Sequence, residues 1–448
     1  MKRIRGLWLL AGLAALPAPA QIGGWGYSGG PVGSGGFGGP AILSRGTGAI
    51  GRSNGKNNGV RFFAGVGAQY STGITTLLGR SDDVYGVYVS GSVSAGFTTN
   101  RSWGSTSWSG GSNFDRFNGG AFRGNHGLGL TYGRILSRRW TVHTSVVGRL
   151  NSRLMNNMGT NYSEDPMAEI ASPLGELFDT GSYSGGGAIG TTAQISRRVA
   201  VSLSAGSTLQ RFKSSPFIGS NSFTGGAGTF YTFTRRQGVG ISYRASKFYF
   251  LGQYGESFVM SVSGHYSRQL SERWRVNISG GRYQVNSTRL VSTPVDPFIA
   301  AIIGQSTFQS IVDRIAGGFS GGVQFNGRFK RSGLSLGYGS SVTPGNGILL
   351  TSSTGQSSAS YSFTGTKRWN YGLNGSYVKY HSLVVEARNY QAVYGGLGAT
   401  YKFTEKLAIF MSAGYSHSTS LGSSFKSDRM YFTVGTGFSP GNLALPMF

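Results

Sequence analysis

A two-residue alternation of side chains runs along most of this sequence and limits what the chain can fold into. In the segment 61–70 one set of residues alternates with another, and the sets are Phe62, Ala64, Val66, Ala68 and Tyr70 against Arg61, Phe63, Gly65, Gly67 and Gln69. Successive side chains of a β-strand point to opposite faces, so a period of two is the period of a strand. The alternation therefore predicts a chain built of strands.

A short polar turn separates the alternating segments and recurs with nearly the same letters. The sequence ILSRRWTV at 135–142 is matched by QISRRVAV at 194–201 and by QLSERWRV at 269–276. Looser copies lie at 97–101, 233–236, 329–331, 363–369 and 403–407. After each turn the alternation resumes with a large apolar residue, which is typical of a hairpin. Eight such turns join sixteen strands, and segments 60–72 and 429–438 add one each, so we predict about eighteen strands, with sixteen as the alternative.

Composition excludes several other classes of protein. The 448 residues include 76 glycines and no cysteine, and only 12% of them are charged. Beyond the N-terminus no apolar run approaches the ~20 residues of a spanning helix, and the mean hydropathy is −0.13, so a helical membrane bundle is excluded. The lack of cysteine excludes disulfide scaffolds, thiol catalysis and cysteine-ligated metal sites.

Each predicted strand has one apolar face and one face of small or polar residues. A typical strand sets Leu128, Leu130 and Tyr132 against Gly127, Gly129 and Thr131. Most predicted strands have ten to fourteen residues, and a tilted strand needs ~9 to 11 to cross a bilayer. A water-soluble sandwich is the alternative, but its solvent face would be rich in Lys and Glu rather than in Gly and Ser.

Short turns alternate with longer segments such as 152–182 and 287–315, and aromatic residues such as Trp140, Trp274 and Trp369 flank the short turns. In these features the chain resembles bacterial outer-membrane β-barrel proteins of porin-like type. The resemblance covers residues 60–438. It implies an all-β fold, a transmembrane antiparallel up-and-down barrel with short periplasmic turns and long extracellular loops. It also implies outer-membrane lipid and the barrel-insertion machinery as partners, and it leaves the oligomeric state open.

Both ends of the sequence differ from the alternating part. Residues 1–20 have a charged start, an apolar stretch and small residues at 18–20, which predicts a signal peptide cleaved after Ala20; a membrane anchor is the alternative. Residues 21–59 form a Gly-rich segment, which we interpret as flexible and periplasmic, either a linker or a tail that enters a pore. We place the aromatic that closes the last strand at Phe438, and 439–448 is a C-terminal tail of open role.

The formal net charge of +26 raises the question of a nucleic-acid partner. Thirteen basic residues crowd the eight short turns, where they can meet anionic lipid headgroups. Export of the chain and the absence of a stacking platform further argue against nucleic acid, so we predict none as a partner.

The sequence offers little that points to catalysis. The five histidines show no metal-ligand spacing, and we expect no strand to carry a carboxylate that could orient one of them. Five acidic residues in 152–182 could bind a divalent cation or catalyse hydrolysis, although a solvated loop is the commoner outcome. We therefore predict no catalytic residue, no cofactor and no metal, with a surface enzyme as an unsupported alternative.

A channel for passive or weakly selective diffusion of small solutes is the leading functional hypothesis, because a barrel of eighteen strands can hold a water-filled lumen. The alternative is a non-conducting structural or partner-binding barrel, such as the outer-membrane port of a polysaccharide or protein export system. We expect all fifteen acidic residues to lie outside the strands. The basic residues expected on the small-residue face, which favour anions, are Arg149, Arg244, Arg328, Lys402 and His143.

Two loops carry helix-start signals, Asp296-Pro297 and Asp165-Pro166. The residues after the first are too apolar to lie in water. We therefore expect the loop 287–315 to fold into the barrel mouth and narrow it, although packing on neighbouring loops is as good an interpretation. The candidate constriction residues are Asp296, Phe298, Ile299, Ile302 and Ile303.

Overall fold

The fold is taken from a computed structural model of the chain. It describes residues 59–75, 81–99, 101–115, 123–151, 182–213, 218–234, 236–251, 255–294, 307–343, 351–363, 368–383, 389–404, 406–421, 426–439 and 442–444. The predicted signal peptide, all of the Gly-rich segment except Gly59, both predicted loop helices and all five candidate constriction residues lie outside the described residues.

The described residues form strands joined by short connections. The strands are β1 (Gly59–Thr75), β2 (Ser81–Thr98), β3 (Ser102–Asp115), β4 (Arg123–Ile135), β5 (Trp140–Asn151), β6 (Ser182–Gln194), β7 (Val199–Phe212), β8 (Ser220–Thr234), β9 (Gln237–Phe250), β10 (Glu256–Gln269), β11 (Trp274–Pro294), β12 (Thr307–Arg328), β13 (Ser332–Thr343), β14 (Ser352–Phe363), β15 (Trp369–Ser382), β16 (Asn389–Lys402), β17 (Leu407–Leu421), β18 (Lys426–Phe438) and β19 (Asn442–Ala444). In the part of the chain that the structure describes, no helix has the length and hydrophobicity to cross a membrane.

Each strand pairs antiparallel with the next along the chain, and the last long strand returns to the first. Ala64 of β1 lies opposite Phe438 of β18, and the pairing continues to Ser71 opposite Tyr431. The three-residue β19 extends the same seam by pairing with Gly59–Arg61. The predicted all-β, up-and-down barrel of eighteen strands is therefore confirmed, with β19 as a short addition within the segment 439–448.

The repeated Ser-Arg-Arg-Trp turn closes because its serine bonds its own backbone. The Ser137 hydroxyl accepts hydrogen bonds from the backbone N–H groups of Arg139 and Trp140, both at 3.2 Å. Ser196, Ser271 and Thr404 make the same contacts in their turns. Such hydroxyl-to-backbone bonds are what favour Ser and Thr in turns. The repeat in the sequence is thus a repeat of one turn geometry.

Several strands run further than the sequence predicted. Residues 287–294 and 307–315, expected in a loop, continue β11 and β12 as a paired hairpin up to Pro294 opposite Thr307. β13 pairs with β12 only over Gly321–Arg328, so the hairpin extends beyond its neighbour. The expectation that every acidic residue lies outside the strands is wrong. Those in strands are Asp82, Asp83, Asp115, Glu256, Asp313 and Asp428. They lie toward the strand ends away from the short turns, where extended strands reach past the length that a bilayer requires.

Glycines leave room for large side chains on neighbouring strands. Tyr88 of β2 is fully buried, and its hydroxyl lies where a Cβ at Gly67 or Gly435 would come within 2.8 Å. Trp103 of β3 covers Gly133 of β4 in the same way, because a Cβ at Gly133 would overlap the indole. Large side chains thereby lie along the sheet instead of standing out from it.

A substitution at Gly133 tests this packing. We expect Gly133→Val to lower the temperature at which the folded barrel converts to its unfolded gel mobility, because the side chain displaces Trp103 at a cost of roughly 1–3 kcal/mol. The control is Gly148→Val on β5, where a Cβ meets nothing within 4 Å. Equal conversion temperatures for the two variants would contradict the packing role of Gly133.

Candidate functional site: the inner face of the barrel

Contacts across the barrel distinguish the inner face from the outer face. Tyr88 of β2 and Phe410 of β17 have ring centroids 6.3 Å apart, although β1 and β18 lie between their strands. Side chains that meet over two intervening strands must lie on the concave side of the sheet. Directly opposed residues of paired strands share a face, so the register assigns every other strand position to the inside.

The outer face is apolar over the central part of the strands. Leu128 and Leu130 of β4 are 49% and 43% exposed and point away from the lumen. Large exposed side chains occur at alternate positions of many other strands, for example Val87 and Val89 of β2. An exterior of this kind is what lipid requires and what water disfavours.

Hydroxyl and amide groups cover much of the inner face and bond across adjacent strands. Ser105 and Thr131 have hydroxyl oxygens 2.6 Å apart, and the Ser267 hydroxyl donates to Asn277 Oδ1 at 2.8 Å. Further pairs of this kind are Thr208 with Ser222 and Thr224 with Ser246. Short polar side chains held against the wall leave space in the lumen.

The register puts all five predicted lumen residues at inner-face positions. Their directly opposed residues are small: Gly127 and Ser184 for Arg149, Gly226 and Ser261 for Arg244, Gly333 for Arg328, Ala408 for Lys402, and Gly133 and Gly190 for His143. The five do not share one level. Arg328 and Lys402 end their strands beside short turns, whereas Arg244 lies in the middle of β9. The structure therefore distributes positive charge along the lumen instead of gathering it in one ring.

Most of the acidic residues on the strands lie on the opposite face. Glu256 bonds Lys247 at 3.0 Å, and Asp83 accepts a hydrogen bond from Tyr70 at 2.9 Å, both on the outer face. Asp428 accepts one from Tyr415 at 2.6 Å on the same face and lies 2.7 Å from His417 Nδ1. The expectation that no strand carboxylate could orient a histidine is therefore wrong. The register puts Asp115 of β3 opposite Gly86, at an inner-face position near the strand end away from the short turns.

The inner face also carries polar groups that the sequence reasoning missed. His265 Nε2 lies 2.7 Å from the Ser242 hydroxyl, and Arg429 Nε donates to Ser71 at 3.1 Å across the closing seam. Arg314 occupies an inner-face position of β12. Arg429 lies three residues before the outward-facing Phe432, so the alternation of the sequence could have placed Arg429 on the inner face. Arg314 was missed because its segment was interpreted as a loop.

A buried apolar cluster lies inside the barrel, at the ends of β9–β11 away from the short turns. It consists of Phe248, Phe250, Val259 and Val285, with Val285 only 1% exposed. Ile218, Tyr283, Val342 and Leu383 pack against it. Val342 and Leu383 come from the β13–β15 region, so the cluster joins parts of the wall that are not neighbours in the sheet.

A chain of hydroxyl groups makes the same connection. Thr351, just before β14, donates to the Ser257 hydroxyl of β10 at 2.6 Å, and Ser257 lies 2.8 Å from the Ser287 hydroxyl of β11. Since β11, β12 and β13 separate β10 from β14, the wall must curve inward here. We therefore expect strand residues to narrow the lumen here, independently of the predicted constriction loop.

The chemistry available on the inner face is hydrogen bonding and positive charge. The Ser242–His265 pair has the spacing of a nucleophile and base, and a catalytic triad would need in addition a carboxylate that orients the imidazole. Within the described residues no group of three or more His, Asp or Glu side chains could hold a metal ion.

Comparison with known proteins gives only distant structural likenesses. No protein-family model matches the sequence, and no curated protein matches it. The outer membrane protein OpdK from Pseudomonas aeruginosa has a TM-score of 0.42 at 11% identity, over 86% of this chain and 99% of that chain. OccK2 (OpdF) from the same organism has a TM-score of 0.41 at 10% identity, over 85% of this chain and 98% of that chain.

A ferric-catecholate import receptor, Fiu from E. coli K12, matches as well as these two do. Its TM-score is 0.41 at 8% identity, over 84% of this chain and 81% of that chain. Likeness at this level carries no information about function. The porin-like barrel architecture expected from the sequence is instead established by the closed strand pairing and by the two faces of the wall.

The apolar cluster provides a test of the narrowing. We expect Phe248→Ala with Phe250→Ala to raise the single-channel conductance in a planar bilayer, because two large side chains leave the lumen. Phe223→Ala on neighbouring β8 is the control, since Phe223 is 55% exposed on the outer face. Gel mobility before and after heating verifies that both variants fold. A folded double variant with wild-type conductance would show that the cluster does not limit the pore.

Proposed function

We propose that the protein is an outer-membrane channel for passive diffusion of small solutes and that it prefers anions. The observation that carries the proposal is the division of charge and polarity between the two faces of one closed wall. Small polar groups and the basic residues Arg149, Arg244, Arg328 and Lys402 lie inside, and apolar side chains cover the central part of the outside. The proposal assigns no catalysis to the chain.

The preference for anions follows from the inner-face charges. Arg149, Arg244 and His143 lie opposite glycine and serine. Most strand carboxylates are at outer-face positions, and Asp115, at an inner-face position, lies near a strand end. Fixed positive charge in a narrow lumen raises the local concentration of anions. Charges on exposed connections act more weakly, because salt screens them over ~8 Å at physiological ionic strength.

The orientation of the barrel in the membrane follows from the charge of the turns that connect its strands. Each of the short turns carries at least one basic residue, and Arg138, Arg139, Arg197 and Arg198 are all exposed. A basic rim suits contact with anionic phospholipid headgroups of the inner leaflet. The proposal therefore puts the short turns in the periplasm and segments such as 295–306 outside the cell.

A non-conducting barrel that serves as a structural or partner-binding port is the second candidate. The apolar cluster with Phe248 and Val285 favours it, because a narrowed lumen could block free diffusion. Planar-bilayer recording separates the two candidates. Steady conductance supports the channel, and silence of both the wild type and the Phe248→Ala, Phe250→Ala variant supports the port.

Ion selectivity tests the role of Arg244. In a salt gradient we expect a wild-type reversal potential that favours chloride over potassium, a smaller preference for Arg244→Gln and a further shift toward potassium for Arg244→Glu. The matched control is Lys247→Gln, which removes the same charge from the same strand, but from the outer face where Lys247 pairs with Glu256. A wild type that prefers potassium, or Arg244 variants that leave the potential unmoved, would refute the assignment.

Surface labelling tests the orientation. Epitope tags inserted near Gly304 and near Arg197 should differ in intact cells, with antibody reaching the tag near Gly304 but not the one near Arg197. Both tags should react after the cells are opened, which verifies that each is accessible to antibody. Labelling of intact cells only at the tag near Arg197 would show that the topology is the opposite of the one proposed.

A further inference from the structure

The outer face carries a groove near the short-turn ends of β7–β11. Its volume is about 540 Å³. Outward-facing side chains line it: Val199, Tyr231, Ile241, Tyr266 and Ile278. Ile241 is 62% exposed, so the groove is open to the surroundings of the barrel and not to the lumen.

Two glycines form the floor of the groove. Gly264 of β10 lies directly opposite Gly280 of β11, and both line the groove. A Cβ built at Gly280 would meet nothing within 4 Å, and one at Gly264 would meet only the Gly280 carbonyl oxygen at 3.8 Å. Backbone packing therefore does not demand glycine here, unlike at Gly133. What the two glycines provide is the depth of the groove.

Basic side chains border the groove on the short-turn side. Arg198 Nη1 lies 3.5 Å from the Tyr231 hydroxyl, which holds the guanidinium beside the groove wall. Arg268 occupies an outer-face position of β10, two residues beyond Tyr266. Arg236 and Arg273 lie in the adjoining turns, and Glu272 is the acidic residue described there. The border is therefore positively charged, whereas the groove itself is apolar.

We propose that this groove binds one acyl chain of an anionic phospholipid, with the lipid phosphate in contact with Arg198 and Arg268. The inference rests on the proposed membrane location and orientation, and it does not require the barrel to conduct. An apolar groove with two arginines at its border matches a ligand with a hydrocarbon chain and one negative headgroup. A diffusing solute is not such a ligand, and it would travel on the other face of the wall.

The charge of the border identifies the class of lipid. A zwitterionic headgroup presents its phosphate together with an ammonium group, which Arg198 and Arg268 repel. A phosphatidylglycerol headgroup presents the phosphate alone. We therefore expect phosphatidylglycerol to be retained over phosphatidylethanolamine. Each of the two arginines should contribute about fivefold to that affinity, the factor that corresponds to ~1 kcal/mol per basic residue near a membrane surface.

Native mass spectrometry of the detergent-released, folded full chain is the test. The added lipids are dioleoyl phosphatidylglycerol and dioleoyl phosphatidylethanolamine, measured separately. We expect one retained phosphatidylglycerol per barrel for the wild type. Retention should fall at least tenfold in the variant Gly264→Leu with Gly280→Leu, which fills the groove, and in Arg198→Gln with Arg268→Gln, which removes the border charge.

Matched controls come from the same chain. Gly225→Leu adds the same side chain at an outer-face glycine of β8 that has open space and does not line the groove. Arg138→Gln with Arg139→Gln removes two arginines from another short turn. Both controls should retain the lipid as the wild type does.

Three results would overturn the proposal: equal retention of the two lipids, retention unaffected by filling the groove, or an equal loss in the Arg138, Arg139 control. A two-copy mass that disappears when the groove is filled would also overturn it, by showing the groove to be an interface between copies. The conductance of the Gly264→Leu, Gly280→Leu variant should match the wild type. Absence of conductance in planar bilayers would refute the proposed channel function, but it would not affect the proposed lipid binding.

Discussion

Closure of the sheet is the constraint on which the rest of this structure depends. In hydrocarbon no water is available for backbone N–H and C=O groups, so a spanning sheet must have no free edge. Here the pairing of Ala64 with Phe438 and of Ser71 with Tyr431 removes the edge. β19 lengthens the seam by three residues, and a hydrogen bond from Arg429 Nε to the Ser71 hydroxyl crosses the seam. Once the sheet is closed, each strand position faces either the lumen or the exterior, and the alternation of the sequence becomes a division of environments.

Glycine has two distinct uses in this wall. At Gly67, Gly133 and Gly435 it makes room for an aromatic side chain of a neighbouring strand, so that Tyr88 and Trp103 lie along the sheet. At Gly280 and Gly264 the space stays open and shapes the outer surface. The same residue type thus compacts the inner face in one place and hollows the outer face in another, which a count of 76 glycines could not distinguish.

Local regularities were predictable from the sequence, and long-range ones were not. The number of strands follows from turns that repeat one Ser-mediated geometry, and the inner-face positions of Arg149 and Arg244 follow from the period of two. Strand ends were harder to predict, because the alternation fades where a strand extends beyond the apolar part of the wall. Glu256 and residues 287–294 were therefore missed as strand residues. The apolar cluster depends on contacts such as Ser257 with Thr351, 94 residues apart, which no local pattern records.

The hairpin of β11 and β12 reaches further than β13, which accompanies β12 only from Gly321 onward. In the described part of the chain, β12 therefore presents one side of its backbone without a partner strand between Thr307 and Ser320. Such a side is a template on which a strand of another molecule can add, and natural sheets discourage this with charge. Asp313 and Arg314 stand on successive positions of that stretch, one on each face. Two adjacent charges of opposite sign make this stretch of β12 a poor template for a further strand.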